Sequence, residues 1–142
     1  MKKFKVKNTA AIKLRTFSDP RGHLAVAEIE KELPFMVKRI FLIHNTKSNA
    51  ERAAHATIKQ EEVLFCLHGS LKVMLDDGLN KQEVVLNDPT RGLHIGKSVW
   101  RTLSDFSPNC VLLALSNTKY MTDDHISDYN EYVRHMRNKN GK

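Results

Sequence analysis

The chain has 142 residues, with 23 lysines and arginines against 16 acids, a formal net charge of +7, and two cysteines. That length suits one domain with a core of its own, so neither disulfides nor a structural metal is required for folding. The charge is concentrated at the ends. Lys2, Lys3, Lys5, Lys7, Lys13 and Arg15 precede the first acid, and Arg134, Arg137, Lys139 and Lys142 close the chain. With those ten set aside, thirteen basic residues face all sixteen acids, so the interior is slightly acidic and offers no basic groove for nucleic acid. No apolar run approaches the roughly 18 residues of a membrane span, and the Met-Lys-Lys-Phe start has no secretory apolar region, which predicts a cytoplasmic protein. Cys66 and Cys110 sit in apolar runs and read as packed thiols.

Short strands are predicted along most of the chain, which we read as a single domain over 1–142 with basic tails at about 1–8 and 137–142. Asp19-Pro20-Arg21-Gly22 is a turn, followed by a strand over 22–30. Phe35 to His44 is a second strand, and 51–62 a third in which alternation puts His55, Thr57 and Lys59 on one face. Glu62 to Leu67 and Leu71 to Leu75 flank His68-Gly69-Ser70 and read as a hairpin; Asp76-Asp77-Gly78 marks another turn. Further strands are expected over 82–86, 92–95, 99–103 and 110–116. Seven or eight strands at this spacing indicate a sandwich or barrel. Ile126, Tyr129, Val133 and Met136 then fall at helical spacing after a cap at Thr122, predicting one C-terminal amphipathic helix.

Proton transfer near neutral pH points to histidine. His55 stands among Arg52, Lys59 and a hydroxyl at Thr57, and alternation alone leaves open whether this face lines a barrel or meets solvent. A metal would need further converging ligands, and with Thr57 between His55 and Glu61 or Glu62 the set is incomplete.

Arg52-x-x-His55-Ala56, Val63-Leu64-x-Cys66-Leu67-x-Gly69-Ser70 and Asp76-Asp77-Gly78 resemble blocks of the dTDP-4-oxo-6-deoxyglucose 3,4-ketoisomerases. Asp19-x-Arg21-Gly22-x-Leu24, Pro34-Phe35-x-x-Lys38-Arg39, Gly92-Leu93-x-Ile95, Val99-Trp100, Asp105-Phe106-Ser107 and Tyr120-x-x-x-Asp124-x-Ile126-x-x-Tyr129 are similar to others, in the same order. The resemblance implies a mainly β, cupin-type jelly-roll barrel, a homodimer exchanging an N-terminal strand, and a dTDP-linked 4-oxo-6-deoxy sugar as substrate without metal or cofactor. It implies Arg21, Arg39 and Arg52 as diphosphate contacts, which suits the paired hydrogen bonds of guanidinium groups, with Lys59 and Trp100 also at the substrate.

The family segment usually reads His-Ala-His, and here it is His55-Ala56-Thr57. Three accounts stay open. His55 transfers protons alone while Thr57 holds a sugar hydroxyl or water; His23 or His94 supplies a second imidazole; or the barrel binds without turnover. Arg101, where many relatives have histidine, would stabilise an enediolate. Asp105 is a candidate to orient an imidazole, and His23 to bias the C4 epimer formed. The alternative enzyme is a 3,5-epimerase on the same barrel. His44, His68, His125 and His135 read as structural, the last two on the terminal helix.

Overall fold

The computed structural model describes residues 4–140. Two five-stranded antiparallel sheets face each other, with a separate two-stranded hairpin inserted in the chain between two strands of the first and one helix at the end of the chain. The first sheet has the order β1 (Thr9–Lys13), β9 (Arg91–Ile95), β6 (Glu62–His68), β11 (Val111–Ser116), β4 (Arg39–His44). The second runs β12 (His125–Ile126), β5 (Arg52–Thr57), β10 (Trp100–Ser104), β7 (Leu71–Asp76), β8 (Lys81–Leu86). The hairpin pairs β2 (Arg15–Asp19) with β3 (Gly22–Val26), and α1 spans Tyr129–Asn140.

Alternation along the strands builds the core. Leu64 and Cys66 of β6, Leu93 and Ile95 of β9, and Leu112 and Ala114 of β11 meet Leu71, Val73 and Leu75 of β7 and Leu103 of β10 between the sheets. The outward residues of the first sheet, Val63, Phe65 and Leu115, join Ile12 and Leu33 in a second cluster. Gly92 lies under the Phe65 ring, where any Cβ would collide. On the outside of the second sheet, Ala56, Trp100, Tyr132 and Met136 make a third cluster beneath α1.

Several expectations are corrected by the pairing. The strands flanking His68-Gly69-Ser70 are not a hairpin: β6 pairs with β9 and β11, whereas β7 pairs with β8 and β10. Both strands are too buried to lie side by side at an edge, so the turn, with Gly69 at φ +77°, carries the chain across the core. The N-terminal tail is not free over its described part. Val6 is in the core, and the backbone N–H groups of Lys5 and Lys7 donate to Gln82 Oε1 and Asp77 Oδ2, both at 2.8 Å. Residues 1–3 and 141–142 of the basic tails lie outside the described residues; 137–140 belong to α1.

The terminal helix starts later than its apolar spacing predicts. Thr122–Asp124 is a single 3₁₀ turn, and His125 and Ile126 form β12 against Thr57 and Ala56. The cause is Asp124. Its buried carboxylate accepts the N–H groups of Lys59 (2.8 Å) and Gln60 (2.9 Å), drawing the chain onto β5 before Asp128 starts α1 by accepting Glu131 N–H at 3.0 Å. Asp76 and Asp77 are turn formers as expected, accepting Gly78, Leu79 and Asn80 N–H groups at 2.7–2.9 Å.

The helix is fastened through the fully buried Tyr132, whose hydroxyl reaches the Ser98 carbonyl at 2.8 Å and the Asp76 carbonyl at 3.0 Å. Tyr132→Phe removes the one O–H that these two carbonyls share and is expected to cost about 1–3 kcal/mol in urea unfolding.

Candidate active site

Between the sheets lies a cavity of about 160 Å³, lined by side chains from β4, β5, β6, β10 and β11. Its wall is largely apolar, from Phe41, Ile43, Leu64, Leu103 and Leu112, and four polar residues open onto it: Arg52, His55, Glu62 and Arg101. The same alternation that builds the core aims them. Glu62 is in step with Leu64 and Cys66 on β6, and Arg101 with Val99 and Leu103 around β10.

His55 and Arg101 are direct cross-strand partners. Beyond them the register slips by one residue, Ala54, and both Ala53 (φ +67°) and Ala54 (φ +54°) lie in the left-handed region that alanine seldom adopts. This bulge breaks strict alternation, so Arg52, Ala53 and His55 all border the cavity.

Arg101 is 1% exposed. Its Nη1 donates to Glu62 Oε1 at 2.9 Å, while Nε and Nη2 are buried without a hydrogen-bond partner among the described residues. Glu62 is held from its other side by Gln60 Nε2 at 3.1 Å, and Gln60 Oε1 accepts Arg39 Nη2 at 3.0 Å. A buried chain of polar groups therefore runs from Arg39 to Arg101 and ends in two unused donors. Such donors call for an oxygen of a bound molecule, because an unmet buried N–H is costly.

Burial first, then the Arg101 charge, and more weakly His125, push the His55 pKa down to about 4; the Ala53 backbone opposes them. The ring is thus neutral at pH 7, an acceptor facing a fixed cation. The His125 ring lies against it, with centroids 4.6 Å apart and planes at 53°.

The other candidates fall elsewhere. Thr57 is fully buried, but its hydroxyl donates to the Gln60 carbonyl at 2.9 Å and does not border the cavity. Lys59 lies past the end of β5, exposed. Trp100 faces outward, edge-on to Tyr129 and tilted against Tyr132 of α1, since adjacent strand residues cannot share a face. Asp105 pairs with Lys72 at 3.0 Å, bordering an open exterior groove. His94 also faces outward, bonded to Glu61 at 2.9 Å. Arg39 is one layer behind the cavity, over the Phe41 and Tyr120 rings. Arg21 and His23 sit on the β2–β3 hairpin, Arg21 paired with Asp19 at 2.6 Å and His23 with Ser18 at 2.7 Å. Gln60 is not singled out by the sequence, Glu62 enters there only in an incomplete metal-ligand set although its phase with Leu64 and Cys66 places it inward, and His125 is read there as structural on the terminal helix, whereas it lies on β12. Among the described residues no three of His, Cys, Asp and Glu converge as metal ligands, and no helix is long and apolar enough to cross a membrane.

The model of the FdtA family, described as WxcM-like, C-terminal, matches residues 7–137. The chain belongs to this family. Among relatives of this FdtA-family protein, the TDP-4-oxo-6-deoxy-alpha-D-glucose-3,4-oxoisomerase of Aneurinibacillus thermoaerophilus is 39% identical over 125 residues, 88% of this chain and 90% of that one. The WlaRB TDP-quinovose 3,4-ketoisomerase of Campylobacter jejuni superposes with a TM-score of 0.87 at 40% identity, covering 91% of this chain and 99% of that one. A histidine-to-asparagine variant of the 3,4-ketoisomerase QdtA of Thermoanaerobacterium thermosaccharolyticum, in complex with TDP-4-keto-6-deoxyglucose, gives a TM-score of 0.92 at 34% identity, covering 96% and 99%. The sugar epimerase NovW of Streptomyces spheroides shares the fold alone, at 15% identity and a TM-score of 0.74.

Because the folded state holds His55 below the ordinary histidine value of 6.5, the unfolded chain binds the extra proton first as pH falls. The stabilising contribution is complete above pH 6.5 and is lost progressively toward about pH 4. Urea unfolding at pH 7 and at about pH 4.5 should show that His55→Gln removes about 2–3 kcal/mol of the acid sensitivity.

Proposed function

We propose that this FdtA-family protein isomerises a TDP-4-keto-6-deoxyhexose, moving the keto group from C4 to C3. The observation that carries this reading is the juxtaposition of a neutral imidazole, His55, with a buried guanidinium that has two unused N–H groups, inside a cavity sized for one sugar ring. The activities of the WlaRB, QdtA and Aneurinibacillus relatives support it.

The C4 ketone acidifies the hydrogen on C3. His55 takes that proton, the C3–H bond breaks, a C3–C4 double bond forms, and negative charge gathers on O4. The Nε and Nη2 donors of Arg101, both buried, are aimed to meet this oxygen as its charge develops. While the site is empty Arg101 opposes a charged His55; an enediolate between them offsets that repulsion and raises the basicity of the imidazole as charge develops. A proton shift from O3 to O4 places the charge on O3. Reprotonation of C4 by the His55 cation forms the new C–H bond, leaves the ketone at C3 and restores the neutral ring. No hydrogen is gained or lost overall.

At about 160 Å³ the cavity is smaller than the roughly 300 Å³ at which drug-sized pockets begin, so the diphosphate and thymidine lie outside it, past Arg52 at its edge. The β2–β3 hairpin suits that outer part. Among the described residues it pairs with no other strand, and Phe17 (60% exposed) and Leu24 (58%) lie open on it. An isolated two-stranded hairpin is marginal in water, so we assign its cover to a second copy of this chain: a homodimer exchanging N-terminal hairpins, with Arg21 and His23 delivered toward the partner's cavity. The free buried thiols Cys66 and Cys110 suit the reducing conditions of the cytoplasm.

Incubation with TDP-4-keto-6-deoxyglucose in heavy water should place deuterium at C4 of the 3-keto product and, through the reverse reaction, at C3 of the recovered substrate, without inversion at C5, and His55→Asn should lower kcat by about 10³-fold or more. Inversion with label at C5 would indicate an epimerase, and full turnover by His55→Asn would remove the proposed base. Sedimentation should give a dimer, with Phe17→Asp shifting it to monomer and lowering activity; a monomeric wild-type chain at micromolar concentration contradicts the exchanged arrangement.

A further inference from the structure

The His125 side chain has no role in the steps above, yet its ring contacts the proposed base. β12 is only two residues long, but its register is definite: His125 is opposite Thr57 and Ile126 opposite Ala56. Ile126 and Ala56 join the cluster under α1, so His125 and Thr57 point the other way, toward the inside of the second sheet. Thr57 is short and its hydroxyl is committed to the Gln60 carbonyl. The His125 ring occupies the room beside it and reaches diagonally to His55, 4.6 Å between centroids.

His125 is itself held in place. Its Nδ1 lies 3.2 Å from the Met121 carbonyl, which can only accept, so Nδ1 carries the hydrogen and a neutral ring keeps its lone pair on Nε2. The buried carboxylate of Asp124, the preceding residue, accepts two backbone N–H groups from the turn after β5, and Ile58 N–H donates to the Asp124 carbonyl at 3.2 Å. Tyr120 backs His125 at 6.1 Å between centroids, and Arg39 stands over Tyr120.

Resting on the isomerase function proposed above, we propose that His125 is a positioning residue for the reaction, its ring fixing the His55 imidazole toward the cavity and closing the space through which that imidazole would swing away. The contact restrains rotation about the His55 side-chain bonds, where small misplacements of a reacting group have large effects on rate. It also keeps water from the ring face and adds a group that opposes a second positive charge. The charged and titratable groups around His55 are Arg52 on its own strand, Arg101 on β10, Glu62 on β6 and His125 on β12, with Tyr120 and Arg39 behind His125.

The test compares His125→Ala with His125→Phe in the full chain, using TDP-4-keto-6-deoxyglucose. The alanine variant should lose kcat by about tenfold or more while KM stays within about twofold, and the acid limb of its kcat profile should move to higher pH as water reaches His55. The phenylalanine variant keeps a ring against His55 and should restore kcat to within about threefold of wild type. Wild-type kcat and acid limb in a folded alanine variant would overturn the proposal. So would a folded phenylalanine variant as slow as alanine, since the role would then belong to the imidazole nitrogens and not to the contact. If alanine prevents folding, the phenylalanine result decides alone. A separate readout needs no turnover: in an NMR titration His55 should protonate at higher pH in the alanine variant than in wild type, and coincident curves would overturn the contact. A wild-type chain that binds the sugar nucleotide without isomerising it would count against the isomerase function, while this titration still tests the pairing of the rings.

Discussion

The ion pair of Arg101 with Glu62 governs the interior of this protein. A guanidinium removed from water between two sheets is tolerated only with a paired carboxylate and further hydrogen bonds, and here Glu62, Gln60 and Arg39 supply them in sequence across the sheet interface. The compensation stops one step short, at Nε and Nη2 of Arg101. On the proposed reading those two donors, and the charge behind them, make the cavity receptive to an oxygen that becomes negative, while burial first and the same charge second hold the neighbouring imidazole neutral.

The backbone around this pair is correspondingly irregular. Two successive alanines in left-handed conformation, a slipped register, and a two-residue strand pinned by one aspartate all occur within a few residues of His55. The core of apolar side chains on β6, β7, β9 and β11 keeps regular alternation and bears the mechanical load. Local departures from regularity gather where side chains must be re-aimed, and the regular remainder of the sandwich holds them there.

Much of this was legible from residue order. Strand positions from β4 to β11 follow from period-two patterns and turn residues, His55 and Arg52 stand out in their segment, and Arg101 stands out through the family resemblance. Pairing was less legible: alternation tells which face a residue occupies but not which strand lies beside it, so the two strands around Gly69 looked like a hairpin although each belongs to a different sheet. Trp100 and Arg101 were both expected at the substrate, yet adjacent residues on one strand face opposite ways. His125 was hidden for a different reason. Its apolar neighbours Ile126 and Tyr129 are spaced as in a helix, and only the fold shows that Asp124 diverts the backbone onto β5. Thr57 kept its place on the inward face but spent its hydroxyl on the turn, which no pattern of types could foretell.

The small volume of the cavity separates two kinds of selectivity. On the proposed reading the enclosed portion judges a six-membered ring and its immediate substituents, whereas the nucleobase and phosphates are read at the rim by groups remote from the reacting carbons. Changes to the carrier nucleotide should therefore alter how tightly the molecule is held, and changes to the hexose how fast it is converted. An enzyme divided in this way can acquire a new carrier nucleotide through surface substitutions without disturbing its acid–base chemistry.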